Sequence, residues 1–124
     1  MPLRCLIVDD NEQFLRAATS SLGRDGLEIV GTATTPEAAL DQVARLRPDL
    51  VLVDVGLGQA SGFDLTVRLV NDFPYLESRV VLISTHAIDD LGDLLEQSPA
   101  VGFISKTELS SRSVHERVSP IGDR

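Results

Sequence analysis

Three carboxylates, one hydroxyl and one amine stand at the ends of apolar runs in this sequence. Leu3 to Val8 (LRCLIV) leads into Asp9 and Asp10, and Leu50 to Val53 (LVLV) into Asp54. Arg79 to Ile83 (RVVLI) leads into Ser84, and Ala100 to Ile104 (AVGFI) is followed closely by Lys106. If these runs are neighbouring strands, the five side chains meet at one rim. Like unit charges about 4 Å apart repel by ~4 kcal/mol at an effective dielectric of 20, so the clustered acids need a cation. Mg²⁺ suits them, because it takes oxygen ligands, keeps several waters and is usually held by one or two carboxylates plus phosphate. Asp10 and Asp54 would supply carboxylates, and a carbonyl of the loop after Asp54 a third ligand. Calcium suits them less, since its loops usually carry several ligands within one short segment. A metal beside an accessible aspartate makes that carboxylate a candidate nucleophile toward phosphorus. Mg²⁺ and Lys106 would then stabilise the phosphoryl oxygens, and Ser84 would donate a hydrogen bond to them.

The elements that must position these groups follow from the hydrophobic pattern. Continuous apolar runs describe strands buried on both faces, as in a parallel sheet covered by helices. After Asp10, Asn11 caps a helix in which Phe14, Ala18 and Leu22 recur at four-residue spacing with Leu15 beside them, and Gly23 and Gly26 break it. Glu28 to Ala33 (EIVGTA) reads as a second strand, weakened by Gly31. Thr35, Pro36 and Glu37 start a second helix, buried through Ala39, Val43 and Leu46 and ended by Pro48. The loop Val55 to Gly62 carries three glycines, which permit positive φ and close backbone approach to a ligand. A third helix carries Phe63, Val67 and Val70 on one face and ends before Pro74. Asp89 and Asp90 precede a short helix with Leu91, Leu94 and Leu95, and the tail from Thr107 allows a short final helix through Val114, Val118 and Ile121, interrupted by Pro120. Strand and helix alternate five times, which calls for a parallel sheet with right-handed crossovers and helices on both faces. Open sheets of this kind bind ligands beyond the carboxyl ends of their strands.

Composition narrows the function classes. The 124 residues, 43% of them hydrophobic, fit one domain over 1–124 with a single core and no effector domain. Eleven basic against 19 acidic side chains give a net charge of -8, which disfavours nucleic acid and anionic membrane surfaces as partners. No apolar stretch is long enough to span a membrane or to serve as a signal peptide, so a cytoplasmic chain is expected. Cys5 is the only cysteine and falls within a strand, which leaves no intrachain disulfide. Of the two histidines, His86 follows the rim and reads as a loop residue, and His115 lies in the polar tail.

Over nearly its whole length the chain resembles the receiver domain of bacterial two-component response regulators. Asp9, Asp10, Asp54, Ser84 and Lys106 match the family's five signature positions in order, and Gly62 matches a sixth. The resemblance implies a flavodoxin-like (βα)5 doubly wound sheet of strand order 2-1-3-4-5, here with a short final helix. It implies that Asp54 accepts a phosphoryl group from a histidine kinase or phosphotransfer protein, with Mg²⁺ held by the acidic pair Asp9 and Asp10, by Asp54, and by the carbonyl of Gly56. It further implies that Ser84 turns toward the phosphoryl group while Phe103 repacks. The face built from the fourth helix, fifth strand and fifth helix would then change its preference for a downstream protein, or pair two copies of the chain. Such a phosphorelay switch turns over no external substrate beyond its own phosphoryl group. Three departures stand out: Gly58 replaces a common proline, which should loosen the loop, Phe103 stands where many members have tyrosine, and the final helix is short and polar.

Two other functions remain open on the residues. A Mg²⁺-dependent phosphatase with an aspartate nucleophile would want a second aspartate two residues further on, and position 56 is glycine. A degenerate receiver serving as a phosphorylation-independent scaffold fits the missing proline and the reduced tail, but not the intact Asp54 and Lys106.

Overall fold

The computed structural model describes residues 3–85, 97–110, 112–114 and 116, and within them the apolar runs do form one parallel sheet. The elements run β1 (Arg4–Val8), α1 (Glu12–Arg24), β2 (Glu28–Ala33), α2 (Pro36–Leu46), β3 (Leu50–Asp54), β4 (Gly56–Leu57), β5 (Ala60–Ser61) and α3 (Gly62–Asp72). A 3₁₀ turn at Pro74–Leu76, β6 (Val80–Ser84), β7 (Gly102–Ser105) and a second 3₁₀ turn at Lys106–Glu108 follow. The five-stranded order is β2-β1-β3-β6-β7, which is the doubly wound flavodoxin-like arrangement with β6 and β7 as the fourth and fifth long strands. The expected helix with Leu91, Leu94 and Leu95, both histidines, and the tail residues Val118, Pro120 and Ile121 lie outside the described residues.

Side chains alternate across the central strands, so each run feeds two cores. Cys5, Ile7, Leu50, Leu52, Val81 and Ile83 pack beneath α1, with Leu15, Ala18 and Leu22 above them. Leu6, Val8, Val51, Val53, Val80 and Leu82 pack on the opposite face against Ala39 and Val43 of α2 and Leu65 and Leu69 of α3. Cys5 is buried in the first of these layers, and burial pushes its thiol pKa up. The helix starts form as their residues demand: Asn11 Oδ1 accepts from the Phe14 N–H at 3.1 Å, and Thr35 Oγ1 accepts from the Ala38 N–H at 3.1 Å with Pro36 at the first helical position. No helix among the described residues is long and apolar enough to cross a membrane.

Three local expectations need correction, and a fourth finds its cause. Helix α1 continues through Gly23 to Arg24, and it is Gly26, at φ 110°, that turns the chain. Leu46 is only half-buried, so Ala39 and Val43 alone carry the buried face of α2. β2 has its expected bounds, and Gly31 sits at the irregularity in the β1–β2 register, where a Cβ would displace the end of the Gln42 side chain. In α3 the buried face is Gly62, Leu65, Thr66 and Leu69, whereas Val67 is 43% exposed and Phe63 and Val70 flank the core. The small Gly62 and Thr66 let this helix approach the sheet closely, and the Thr66 hydroxyl is satisfied by donating to the Gly62 carbonyl at 2.8 Å.

Candidate functional site

Parallel pairing aligns the strand ends and so assembles the site. β1 lies between β2 and β3, and Val8 pairs with Val53, which puts Asp9 and Asp54 on adjacent strand ends. Asp54 pairs with Ile83 on β6, and Ser84 pairs with Ser105 on β7, immediately before Lys106. Carboxylate oxygens of Asp9, Asp10 and Asp54 all lie within 4.8 Å of one another. The Lys106 Nζ stands 2.6 Å from Asp9 Oδ2 and 3.7 Å from Asp54 Oδ2. Four of the five signature side chains thus converge, and Ser84 is buried at the adjoining strand end.

The carboxylates differ in a way their spacing did not reveal. Asp9 is fully buried, and its Oδ1 accepts the Asn11 N–H at 2.9 Å. Its Oδ2 faces no polar partner among the described residues other than the Lys106 ammonium at 2.6 Å. Asp10 is exposed at the rim, while Asp54 lies between these extremes with its side chain 12% exposed. Three carboxylates at ligand spacing, with Asp10 exposed at the opening, are an all-oxygen donor set that fits a hard divalent cation.

Charge crowding appears at Asp54. Its carboxyl pKa is raised from 3.8 to about 6, first by burial and then by the charge of Asp9. The Lys106 ammonium and the Gly56 backbone N–H pull it down, and Asp10 adds a last upward push. The folded state therefore holds this proton more tightly than the unfolded chain. That stabilisation is complete below pH 3.8 and is lost as pH rises through about 6. Asp54→Asn is accordingly expected to stabilise the metal-free protein by about 1–2 kcal/mol near pH 8, allowing for screening by water at the rim. Below about pH 4 it should change little. Urea denaturation at both pH values checks this, and an equal effect at both would reject the charge argument.

The loop after Asp54 is more structured than its glycines suggest. β4 and β5 form a two-residue antiparallel ladder, Gly56 opposite Ser61 and Leu57 opposite Ala60. Gly58 turns this hairpin at φ 65°, a left-handed conformation that glycine adopts without steric cost. Of the three loop glycines only Gly58 takes a positive φ, and Gly62 serves by close approach instead, its N–H donating to the Val55 carbonyl at 2.8 Å. Ser61 caps α3 by accepting from the Phe63 and Asp64 N–H groups. Phe103 is partly buried against the layer that includes α2 and α3. Sequence reasoning missed Phe14, whose ring lies under the Lys106 ammonium at 4.3 Å from the centroid. Its helical spacing marked it as core, and nothing in the sequence tied it to a lysine far along the chain.

Known proteins resemble this chain in sequence and in fold. The family model for the response regulator receiver domain matches residues 5–119. The response regulator GacA of Pseudomonas viridiflava is 32% identical over 105 residues, covering 84% of this chain and 48% of that protein. The chain thus spans about half the length of such relatives. The polar-differentiation response regulator DivK of Brucella anthropi is 29% identical over 123 residues, 99% of each chain. Among solved structures, a putative response regulator from Chloroflexus aurantiacus superposes with a TM-score of 0.79 at 25% identity over 100% of both chains. The chemotaxis protein CheY4 of Vibrio cholerae superposes with a TM-score of 0.81 at 18% identity, over 98% of this chain and 99% of that one, and shares the fold. With the family model matched over most of its length, the chain belongs to the response regulator receiver domains of two-component signal transduction.

Proposed function

We infer that this chain is a single, cytoplasmic receiver domain in which Asp54 is the phosphoacceptor of a phosphorelay. The observation that carries the reading is the placement of Lys106 Nζ between Asp9 and Asp54, with Asp10 at the same opening. Asp54 is the one buried carboxylate of the three with an edge open to solvent, so it can meet a donor phosphohistidine. A carboxylate oxygen of Asp54 attacks phosphorus, the bond from phosphorus to the donor nitrogen breaks, and its electron pair leaves with the imidazole. Lys106 faces the phosphoryl oxygens as charge shifts onto them. Asp9, Asp10, Asp54 and the Gly56 carbonyl would hold Mg²⁺, which neutralises phosphoryl charge when bound. Ser84, on the neighbouring strand end, would donate a hydrogen bond to the phosphoryl group, and Phe103 would repack as it turns. The consequence is a changed preference for a downstream protein, or for a second copy, at the face that contains β7. The net charge of -8 argues against nucleic acid as that partner.

Catalysis on an external phosphoester fits less well. The position two residues beyond Asp54, where an acid/base carboxylate would stand, is Gly56 at the start of the hairpin. The test is intact-mass measurement after incubation with acetyl phosphate and Mg²⁺. The wild-type chain is expected to gain one phosphoryl group and Asp54→Ala none. Sustained phosphate release from simple esters would point to a phosphatase, and a wild-type chain unlabelled by any donor would point to a scaffold.

A further inference from the structure

The geometry points to Phe14 as a positioning residue that holds the Lys106 ammonium against the acidic pair through the face of its ring. This rests on the reading of Asp54 as phosphoacceptor. Lys106 begins a 3₁₀ turn directly after β7, so its backbone is placed but its long stem has many rotamers to choose from. Its ammonium nonetheless sits 4.3 Å from the Phe14 ring centroid and 2.6 Å from Asp9 Oδ2, with the side chain 12% exposed. A cation at this distance over an aromatic face is attracted by the ring quadrupole, and more so where water is excluded.

The ring is itself tied to the carboxylate it works with. Asp9 Oδ1 accepts the Asn11 N–H, and Asn11 Oδ1 accepts the Phe14 N–H, so one hydrogen-bonded turn fixes both groups that face the amine. Phe14 continues the stripe of Ala18 and Leu22 to the rim end of α1, where it is half-buried, one side against the core cluster and its ring face under the ammonium. The ring covers the ammonium and favours the rotamer that reaches Asp54.

The test compares the rate of Asp54 labelling by acetyl phosphate with Mg²⁺ in wild type, Phe14→Leu and Phe14→Tyr. Leucine keeps apolar packing and loses the π face, and tyrosine keeps both. Phe14→Leu is expected to slow labelling roughly three- to tenfold, and Phe14→Tyr to stay within about twofold of wild type. In a Lys106→Met background, Phe14→Leu should have no further effect, because the ring would have nothing left to position. Labelling of Phe14→Leu at the wild-type rate, or an undiminished effect without the lysine, overturns the proposal. An unlabelled wild-type chain would instead defeat the phosphoacceptor reading, and this inference with it. Should Phe14→Leu fail to fold, Phe14→Met offers the same comparison.

Discussion

Lys106→Met is expected to cost about 3 kcal/mol of stability near pH 8, because it leaves a fully buried carboxylate without its cation. Methionine keeps a long apolar side chain and loses the ammonium over the Phe14 ring, so the loss reports the charge and its contacts and not a cavity. The Asp9 Oδ2 atom has no hydrogen bond to fall back on, and Asp54 stands close enough to repel it. The full penalty of a buried unpaired charge is not expected, since Asp10 lies exposed at the opening and water can reach the rim. At low pH a proton can do part of the lysine's work, and Asp54, already pushed up to about 6, is the group that would take it. The deficit should therefore shrink toward pH 5. Added Mg²⁺ should also recover part of it, if the carboxylates hold the ion as the donor set suggests. Urea denaturation of wild type and variant, at both pH values and with and without Mg²⁺, measures all of this. A loss under about 1 kcal/mol at pH 8 would mean that Lys106 is a surface lysine resting near the site.

The sequence was most legible where one physical demand dominated. A parallel strand buried on both faces admits little but aliphatic residues, so Leu6 to Val8, Leu50 to Val53 and Val80 to Ile83 announced themselves, and so did the polar residues that ended them. The caps of α1 and α2 were legible for a similar reason, since few side chains can serve an orphan N–H group. Helix α3 misled because two of its four buried positions are Gly62 and Thr66, which hydrophobic periodicity does not count, so Leu65 and Leu69 alone competed with the stripe of Phe63, Val67 and Val70. The hairpin after Asp54 was hidden by its two-residue strands, too short for any alternation to show. Within the site, the residues were legible but their inequality was not. Which of two adjacent aspartates is buried depends on where the β1 end meets Asn11 and Lys106, and that is a property of the packed rim. The pairing of Phe14 with Lys106 belongs to the same class, being a contact between the first helix and the end of the last strand that only the sheet order creates.

Gly62→Ala is expected to destabilise the protein by about 3 kcal/mol and to reduce labelling of Asp54 at the same time. A Cβ at this position would collide with the backbone carbonyl oxygen of Asp54 and come within 2.8 Å of the carbonyl carbon and of the Val55 Cα. These are main-chain atoms at the end of a central strand, so no side-chain rotation can relieve the overlap. The choice is between moving the start of α3 outward and bending the chain at Asp54. Moving the helix weakens the bond from the Gly62 N–H to the Val55 carbonyl and lifts Leu65 and Leu69 from the core. Overpacking of about 1–3 kcal/mol and a lost hydrogen bond of about 1 kcal/mol account for the expected size. Bending the chain displaces the carboxylate that Lys106 and the acidic pair face, so activity should fall even in the fraction that stays folded. Glycine here is thus a condition of the site, although its backbone is not in the left-handed region. Measuring both unfolding and the labelling rate separates the two routes: a large stability loss with normal labelling means the helix moved, and slow labelling with modest loss means the strand end did. If neither changes, the close packing of α3 on the phosphoacceptor backbone does not govern the site, and the match at position 62 has another cause.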